Sequence, residues 1–452
     1  MIGKHYKHRG TRIHLGERFN LLYLCMLYFM PFIVLSGYLG YVLIYQTGAY
    51  SDIMHGNWQD SRLIILLIPF VVACLFFMYL RSERSFLFTM LRHCKNRQMI
   101  AKRIYHDNMY ITQKSKDILT GKDTERIIQY PKIYYKVDGS FIRVSVQTDF
   151  AKWQSHMPKF MEELAIALYA DTYEYVSEEG YMTYKMLYAP EKSRILVTDI
   201  MPTTQRIQLT KNLYWRYASI PHCLVVGGTG SGKTFMILSL LYSFLKIGAD
   251  VVILDPKKTD LSYLKTIPSL ENLVSCKTED ILVSIKLFYA AMLDRQEEFD
   301  RLANKQTGLI YSDVGLNPVI LVFDEYSAFI GSLDYKERTS VDKWLNQIIL
   351  LGRQLGFFVI LGMQRPDGQD LDTKLRDQFG LRIALGGMSA TGYTMMFGET
   401  DKTFMSKLVK GFGYASIGTF DVREFYSPLV PEGFNFVEEI GKLYHERQKV
   451  GR

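Results

Sequence analysis

Hydrophobic and polar positions change their pattern four times along the chain. Residues 20–45 and 63–80 are runs without a charged residue, the second broken only by Pro69. Each approaches or exceeds the length of about 20 apolar helical residues that crosses a hydrocarbon core. Alternation follows at 132–137 and 141–147, with Asp138-Gly139 between them as a hairpin turn. A helical period covers 151–169, with Phe160, Leu164, Ile166 and Leu168 as apolar positions, and alternation returns at 181–188. Further on, short continuous apolar runs at 223–226, 250–254, 319–323 and 357–363 predict strands buried on both faces, each ending in polar or glycine-rich residues. Repeated units of this kind predict an α/β fold with a parallel sheet.

These changes divide the chain into a basic tail at 1–19, a two-helix transmembrane hairpin at 20–80, a linker with a small α+β module at 81–205 and an α/β domain at 206–452. The charges flanking the hairpin orient it. Five Lys/Arg precede the first span, the loop at 46–61 holds none, and a basic stretch at 81–103 follows the second. The positive-inside rule then leaves both termini in the cytoplasm, with the chain anchored in the cell membrane. A cleaved signal peptide is the competing reading, disfavoured because the first run is too long and a second one follows.

Charge partition limits the nucleic-acid question. Residues 1–103 hold 13 Lys/Arg against four acids, a net +9 within a formal +8 for the whole chain, so the remainder is close to −1. Contact of that remainder with nucleic acid has to be a local patch, since its bulk charge offers no general attraction. Cys25 and Cys74 fall in the apolar runs, while Cys94, Cys223 and Cys276 are scattered without a C-x-x-C pair. They read as reduced structural thiols, not as metal ligands.

The densest chemistry is Gly227-Gly228-Thr229-Gly230-Ser231-Gly232-Lys233-Thr234, set between an apolar strand and an apolar helix that begins at Phe235. This is G-x-x-x-x-G-K-[ST] in the strand–loop–helix context it requires. Glycines let the backbone wrap a phosphate closely, and the loop N–H groups with the helix N-terminus bind the anion. The nucleotide cradle is therefore Gly227 to Phe235, with Lys233 on the β/γ-phosphates of ATP and Thr234 on Mg²⁺. The 319–323 run ends in Asp324-Glu325, which in a parallel sheet lies at the phosphate crevice. Asp324 is assigned to Mg²⁺ through a water, and Glu325 to orienting and deprotonating the attacking water. Gln364, at the tip of the 357–363 strand, is placed to sense the γ-phosphate.

Several motifs in one order resemble the FtsK/SpoIIIE-type DNA-pumping ATPases. They are Ile220-Pro221-His222 before the phosphate loop, Asp255-Pro256-Lys257, the 281–299 helix with Met292 and Arg295, Asp324-Glu325, and Gly352-Arg353 with Gln364-Arg365-Pro366. The resemblance implies a RecA-like P-loop motor of the FtsK/HerA type, six copies forming a ring on DNA. It also implies an arginine from one subunit completing its neighbour's site, with Arg382 in the matching position and Arg353 and Arg365 as competitors. About 25 residues follow Tyr426, too few for the winged-helix reader of chromosome-segregating members, and the interval from Gly232 to Asp324 is too short for the helical domain of Gram-negative coupling proteins. What remains is most similar to the coupling proteins of integrative and conjugative elements of Gram-positive bacteria. Such proteins pass relaxase-bound DNA to a type IV secretion channel. The alternatives are a chromosome-segregation pump without a reader and a protein-secretion ATPase indifferent to DNA.

Overall fold

The computed structural model describes residues 5–6, 9–42 and 86–450, the last with short gaps at 117–122, 139–140, 149–151, 169, 189, 305, 401, 408 and 419–421, plus isolated positions between 71 and 78. The chain forms two compact units, Met1–Tyr188 and Ala189–Arg452.

In the first unit, strands β1 (His5–Tyr6), β2 (Gly10–Arg12), β5 (Ile133–Asp138), β6 (Phe141–Gln147), β8 (Tyr181–Tyr188) and β7 (Ala170–Glu178) pair in that order, every junction antiparallel. β3 (Ile111–Lys116) and β4 (Asp123–Gln129) make a separate hairpin. Helices α1 (Asn20–Tyr41), α2 (Phe86–His106) and α3 (Met157–Ala167) complete it. The inward positions of β5 and β6, among them Ile133, Tyr135, Ile142 and Val144, share one core with Ile100 and Ile104 of α2 and Phe160 and Leu164 of α3. The alternation at 132–147 thus gives the strands its spacing predicts, and the 151–169 period gives α3.

Within 1–19, read from sequence as a basic tail, the described residues 9–19 are ordered into the sheet and its flank. Thr11 and Arg12 pair with Tyr135 and Tyr134, Ile13 is fully buried, and residues 15–19 form a 3₁₀ turn. The physical reason is the edge of β5, which needs a partner that Thr11 and Arg12 supply.

The first apolar run forms α1, whose described side chains Tyr23, Met26, Met30, Ile33, Val34 and Tyr38 are exposed. Among the described residues no helix is long and apolar enough to cross a membrane. Side chains at 20–22, 24, 25, 27, 28 and 36 of α1 lie outside that description, as do the 46–61 loop and most of the 63–80 run.

In the second unit the strands are β9 (Ile207–Thr210), β10 (Leu213–Trp215), β11 (Cys223–Gly227), β12 (Asp250–Leu254), β13 (Val274–Ser275), β14 (Val319–Phe323), β15 (Phe357–Met363), β16 (Leu381–Leu385), β17 (Phe412–Ile417) and β18 (Val422–Tyr426). Eight of them form one sheet in the order β13-β12-β14-β15-β11-β16-β17-β18. The first six are parallel, and β17 and β18 return antiparallel. Its helices are α4 (Lys233–Lys246), α5 (Thr278–Ala303), α6 (Tyr326–Ile330), α7 (Tyr335–Leu355), α8 (Thr373–Arg376), α9 (Ala390–Phe397) and α10 (Phe436–Val450).

Period two sorts the strand residues. Cys223 and Val225 of β11 join Ile237, Leu241 and Phe244 of α4 in one core, while Leu224 and Val226 join Ile285 and Phe288 of α5 and Leu345 and Ile348 of α7 in the other. The sheet is covered on both faces, as its continuous apolar strands predict. This unit begins at Ala189, upstream of residue 206, because Ile195, Val197 and Ile200 are buried in the α4-side core.

Candidate nucleotide site

Parallel pairing brings the C-terminal ends of β11, β12, β14 and β15 to one edge, where the polar tips gather. Gly230 and Gly232 have φ of +79° and +97°, a region in which any side chain is strained, so the loop can turn and start α4 at Lys233 only with glycines there. The loop is buttressed from below: Gly411 N–H donates to Ser231 O at 3.0 Å.

Strand β15 lies between β11 and β14, so the lysine and the carboxylates follow strands two places apart, roughly 10 Å at ordinary strand spacing. They nevertheless meet. Lys233 Nζ donates to Asp324 Oδ1 and, at 2.7 Å, to Glu325 Oε2. All three residues are buried. Gly362 leaves the passage open, since a Cβ there would stand 2.6 Å from Asp324 Oδ1 and 2.7 Å from Ile237 Cδ1. A glycine inside a wholly apolar strand was the available sequence signal for this role.

Glu325 has φ +60° and occupies the N-cap of α6. A left-handed non-glycine residue costs roughly 1–2 kcal/mol, and such strain gathers at functional positions. Lys257, at the tip of β12, lies 3.1 Å from the other carboxylate oxygen, Glu325 Oε1. The Asp255-Pro256-Lys257 motif alone gave no sign of this contact. Asp255, fully buried, accepts from Thr259 N–H at 2.7 Å and Ser262 N–H at 3.1 Å, which shapes the loop carrying Lys257. Burial pushes its carboxyl above the usual range.

The other assigned residues are placed as follows. Thr234 is half-buried at the start of α4, Phe235 is exposed with its ring 6.3 Å from Phe436 of α10, and Gln364 is exposed directly beyond β15. Arg382 does not reach outward. It sits low in β16, in register with Leu224, and donates to Phe379 O and Met396 O, each at 3.2 Å, and to Asp377 Oδ1 at 3.1 Å. The reason is local: the turn before β16 and the end of α9 present carbonyl oxygens within reach of the guanidinium. Arg353 and Arg365 are exposed, and of the two only Arg365 lies at the nucleotide end of the sheet.

His222 is a further residue whose weight the sequence hid. Fully buried with φ +59°, its Nδ1 accepts from Val359 N–H at 3.1 Å, so its Nε2 carries the proton and donates to Ile349 O at 2.9 Å. It ties the start of β11 to β15 and α7 and keeps the phosphate strand in register.

The geometry agrees with comparison to known proteins. The model of the FtsK/SpoIIIE family matches residues 198–394. Ftsk domain-containing protein YdcQ of Bacillus subtilis (strain 168) is 34% identical over 446 residues, covering 96% of this chain and 91% of that protein. The chain belongs to the FtsK/SpoIIIE family. DNA translocase FtsK of Mesorhizobium japonicum is 25% identical over 221 residues, which is 40% of this chain and 24% of that protein. Among solved structures, the pCW3 conjugation coupling protein TcpA, a monomer form with ATPγS, aligns at TM-score 0.47 and 17% identity over 71% of this chain and 94% of that one. EssC (ATPases 2 and 3) from Geobacillus thermodenitrificans aligns at 0.45 and 15% over 57% and 52%. As a member of the FtsK/SpoIIIE family the chain is a P-loop ATP hydrolase that binds ATP.

Proposed function

We propose that the chain is a membrane-anchored, ATP-driven DNA translocase that works as a homo-hexamer and serves as a coupling protein, handing relaxase-bound DNA to a type IV secretion channel. The observation that carries the motor reading is the meeting of Lys233 with Asp324 and Glu325 over Gly362. The coupling role is favoured by the compact path from α4 to β14, in which only β12, β13, short 3₁₀ turns and α5 intervene.

The donor set suits Mg²⁺. Thr234 and Asp324 offer the hard oxygens that ion prefers, and the Lys233 ammonium already rests on both carboxylates as a stand-in cation. Bound there, Mg²⁺ would neutralise charge on the β- and γ-phosphates. Lys233 would exchange its carboxylates for phosphate oxygens, the Gly227–Gly232 backbone would hold the chain of phosphates, and Glu325 would accept the proton of the attacking water. Gln364 would follow the γ-phosphate from the neighbouring strand tip. In a ring, the arginine donated to the adjacent site is better filled by the exposed Arg365 than by Arg382, whose contacts would first have to break.

The strand pairing supports the anchoring part of this reading. β2 pairs with β5, so residues 11–12 and 134–135 occupy the same side of any bilayer, and an even number of crossings must separate them. Two uncharged runs lie between, which fits a hairpin at 20–45 and 63–80 with both termini cytoplasmic.

The test is ATP turnover by the full-length protein in detergent, with no DNA, linear duplex or single strand, and with Glu325→Gln as blank. Stimulation by either nucleic acid supports the translocase and names its substrate form. A Glu325-dependent rate indifferent to both rejects it in favour of a protein-secretion ATPase.

A further inference from the structure

Both oxygens of Glu325 are taken by ammonium groups, Oε2 by Lys233 at 2.7 Å and Oε1 by Lys257 at 3.1 Å. Together with Asp324 they form a linked set of two ammonium groups and two carboxylates. The Lys257 contact is built into the fold. Parallel pairing puts Leu254 opposite Phe323, and Asp324 N–H donates to Leu254 O at 3.0 Å, which locks the tips of β12 and β14 side by side. Asp255 then pins the following loop through Thr259 and Ser262, and Lys258 holds φ +55°. Glu325 is itself fixed in the left-handed region.

A base must offer water a free carboxylate oxygen in the line of attack. Polyphosphate binding draws Lys233 away from Glu325, because phosphate oxygens carry more charge than one carboxylate. Lys257 enters from the loop after a different strand, β12, and grips the other oxygen. We propose that Lys257 is a positioning residue that parks Glu325 in a non-reacting orientation, so that ATP is held unspent until the Lys257–Glu325 pair opens. The inference rests on the reading of Glu325 as the water-activating base.

The test uses the full-length protein with Lys257→Met, which keeps the aliphatic stem, and Lys257→Arg, which keeps the charge. Nucleotide-independent folding is checked by thermal melting, and affinity by titration with ATPγS. Lys257→Met should raise kcat without DNA by about tenfold, less than the 10²–10⁴ that a positioned base supplies in full. KM for ATP and ATPγS affinity should be unchanged, stimulation by DNA should shrink, and Lys257→Arg should behave as the parent. A kcat equal to the parent's, a fall toward the Glu325→Gln level, or a raised KM with unchanged kcat each overturns the proposal, the last making Lys257 a phosphate ligand. If Glu325→Gln itself keeps turning over ATP, the base assignment fails instead, and the two failures are thereby distinguished.

Discussion

Arg97 donates to Glu17 at 2.6 Å across eighty positions of sequence, and Glu17 is only 2% exposed. One partner precedes the first apolar run and the other follows the second. Beside it, Gln98 donates to Arg18 O, and His14 N–H donates to Glu17 Oε1 at 3.2 Å. The N-terminus is thereby sewn to α2 by charge as well as to β5 by backbone pairing, and a fragment lacking residues 1–101 would lose β1, β2 and most of α2.

Removing one member of a buried ion pair leaves the other charge unpaired in low dielectric, at a cost of about 3–5 kcal/mol. Glu17→Ala should destabilise the Met1–Tyr188 unit by roughly that amount, while Glu17→Ala with Arg97→Met should recover much of it. Urea unfolding read by the fluorescence of buried Trp153, with trypsin cleavage as a second readout, checks this. Equal loss in the single and double variants would mean that the pair is not the fastening.

His222 predicts a pH window for the second unit. Burial lowers its pKa from 6.5 to about 4. The unfolded chain therefore binds a proton at higher pH than the native one, so stability is complete above 6.5 and falls as pH drops from 6.5 towards 4. A gap of that size is worth about 3 kcal/mol. Urea midpoints of the parent should decline across this range, and those of His222→Gln, though lower at pH 7.5, should decline less. Parallel slopes would assign the acid sensitivity elsewhere.

How much of this was legible in the sequence depends on the range of the interactions involved. The phosphate loop, Asp324-Glu325 and the apolar strands were readable because each is a local pattern with a fixed spacing. The role of β1 and β2 was not, since two- and three-residue strands carry no periodic signal and gain their order from β5. Neither was the contact of Lys257 with Glu325, nor the internal commitment of Arg382, because both depend on which strand tips become neighbours. The order β12-β14-β15-β11 is a property of the sheet and appears nowhere in the spacing.

Arg382 and Arg365 should separate in behaviour. Loss of the Arg382 guanidinium orphans the carbonyls of Phe379 and Met396, so Arg382→Ala should lower the melting temperature and cost about 2 kcal/mol, without rescue in mixed rings. Arg365 is exposed at the nucleotide edge, so Arg365→Ala should melt as the parent does. Its turnover should return when mixed with Lys233→Ala subunits that keep Arg365. Rescue of Arg382→Ala by the same partner, with unchanged melting, would restore Arg382 as the donated arginine.

Gly362 is the narrowest point of the site, and its substitution tests whether the meeting of Lys233 and Asp324 matters. A methyl group there would lie 2.6 Å from Asp324 Oδ1 and 2.7 Å from Ile237 Cδ1. Ile237 is locked in the α4-side core, so the carboxylate is the part that gives way. Displacement of about 1 Å at a positioned catalytic group costs on the order of 10²-fold in rate. Gly362→Ala should therefore lose about that factor in ATP turnover, more than the 10 Å-scale spacing of β11 and β14 would suggest for a single methyl in a buried strand. Far-ultraviolet circular dichroism should be unchanged, because β15 keeps its ladder bonds. Full activity in Gly362→Ala would show that Asp324 reaches its working position by another path once a nucleotide is bound.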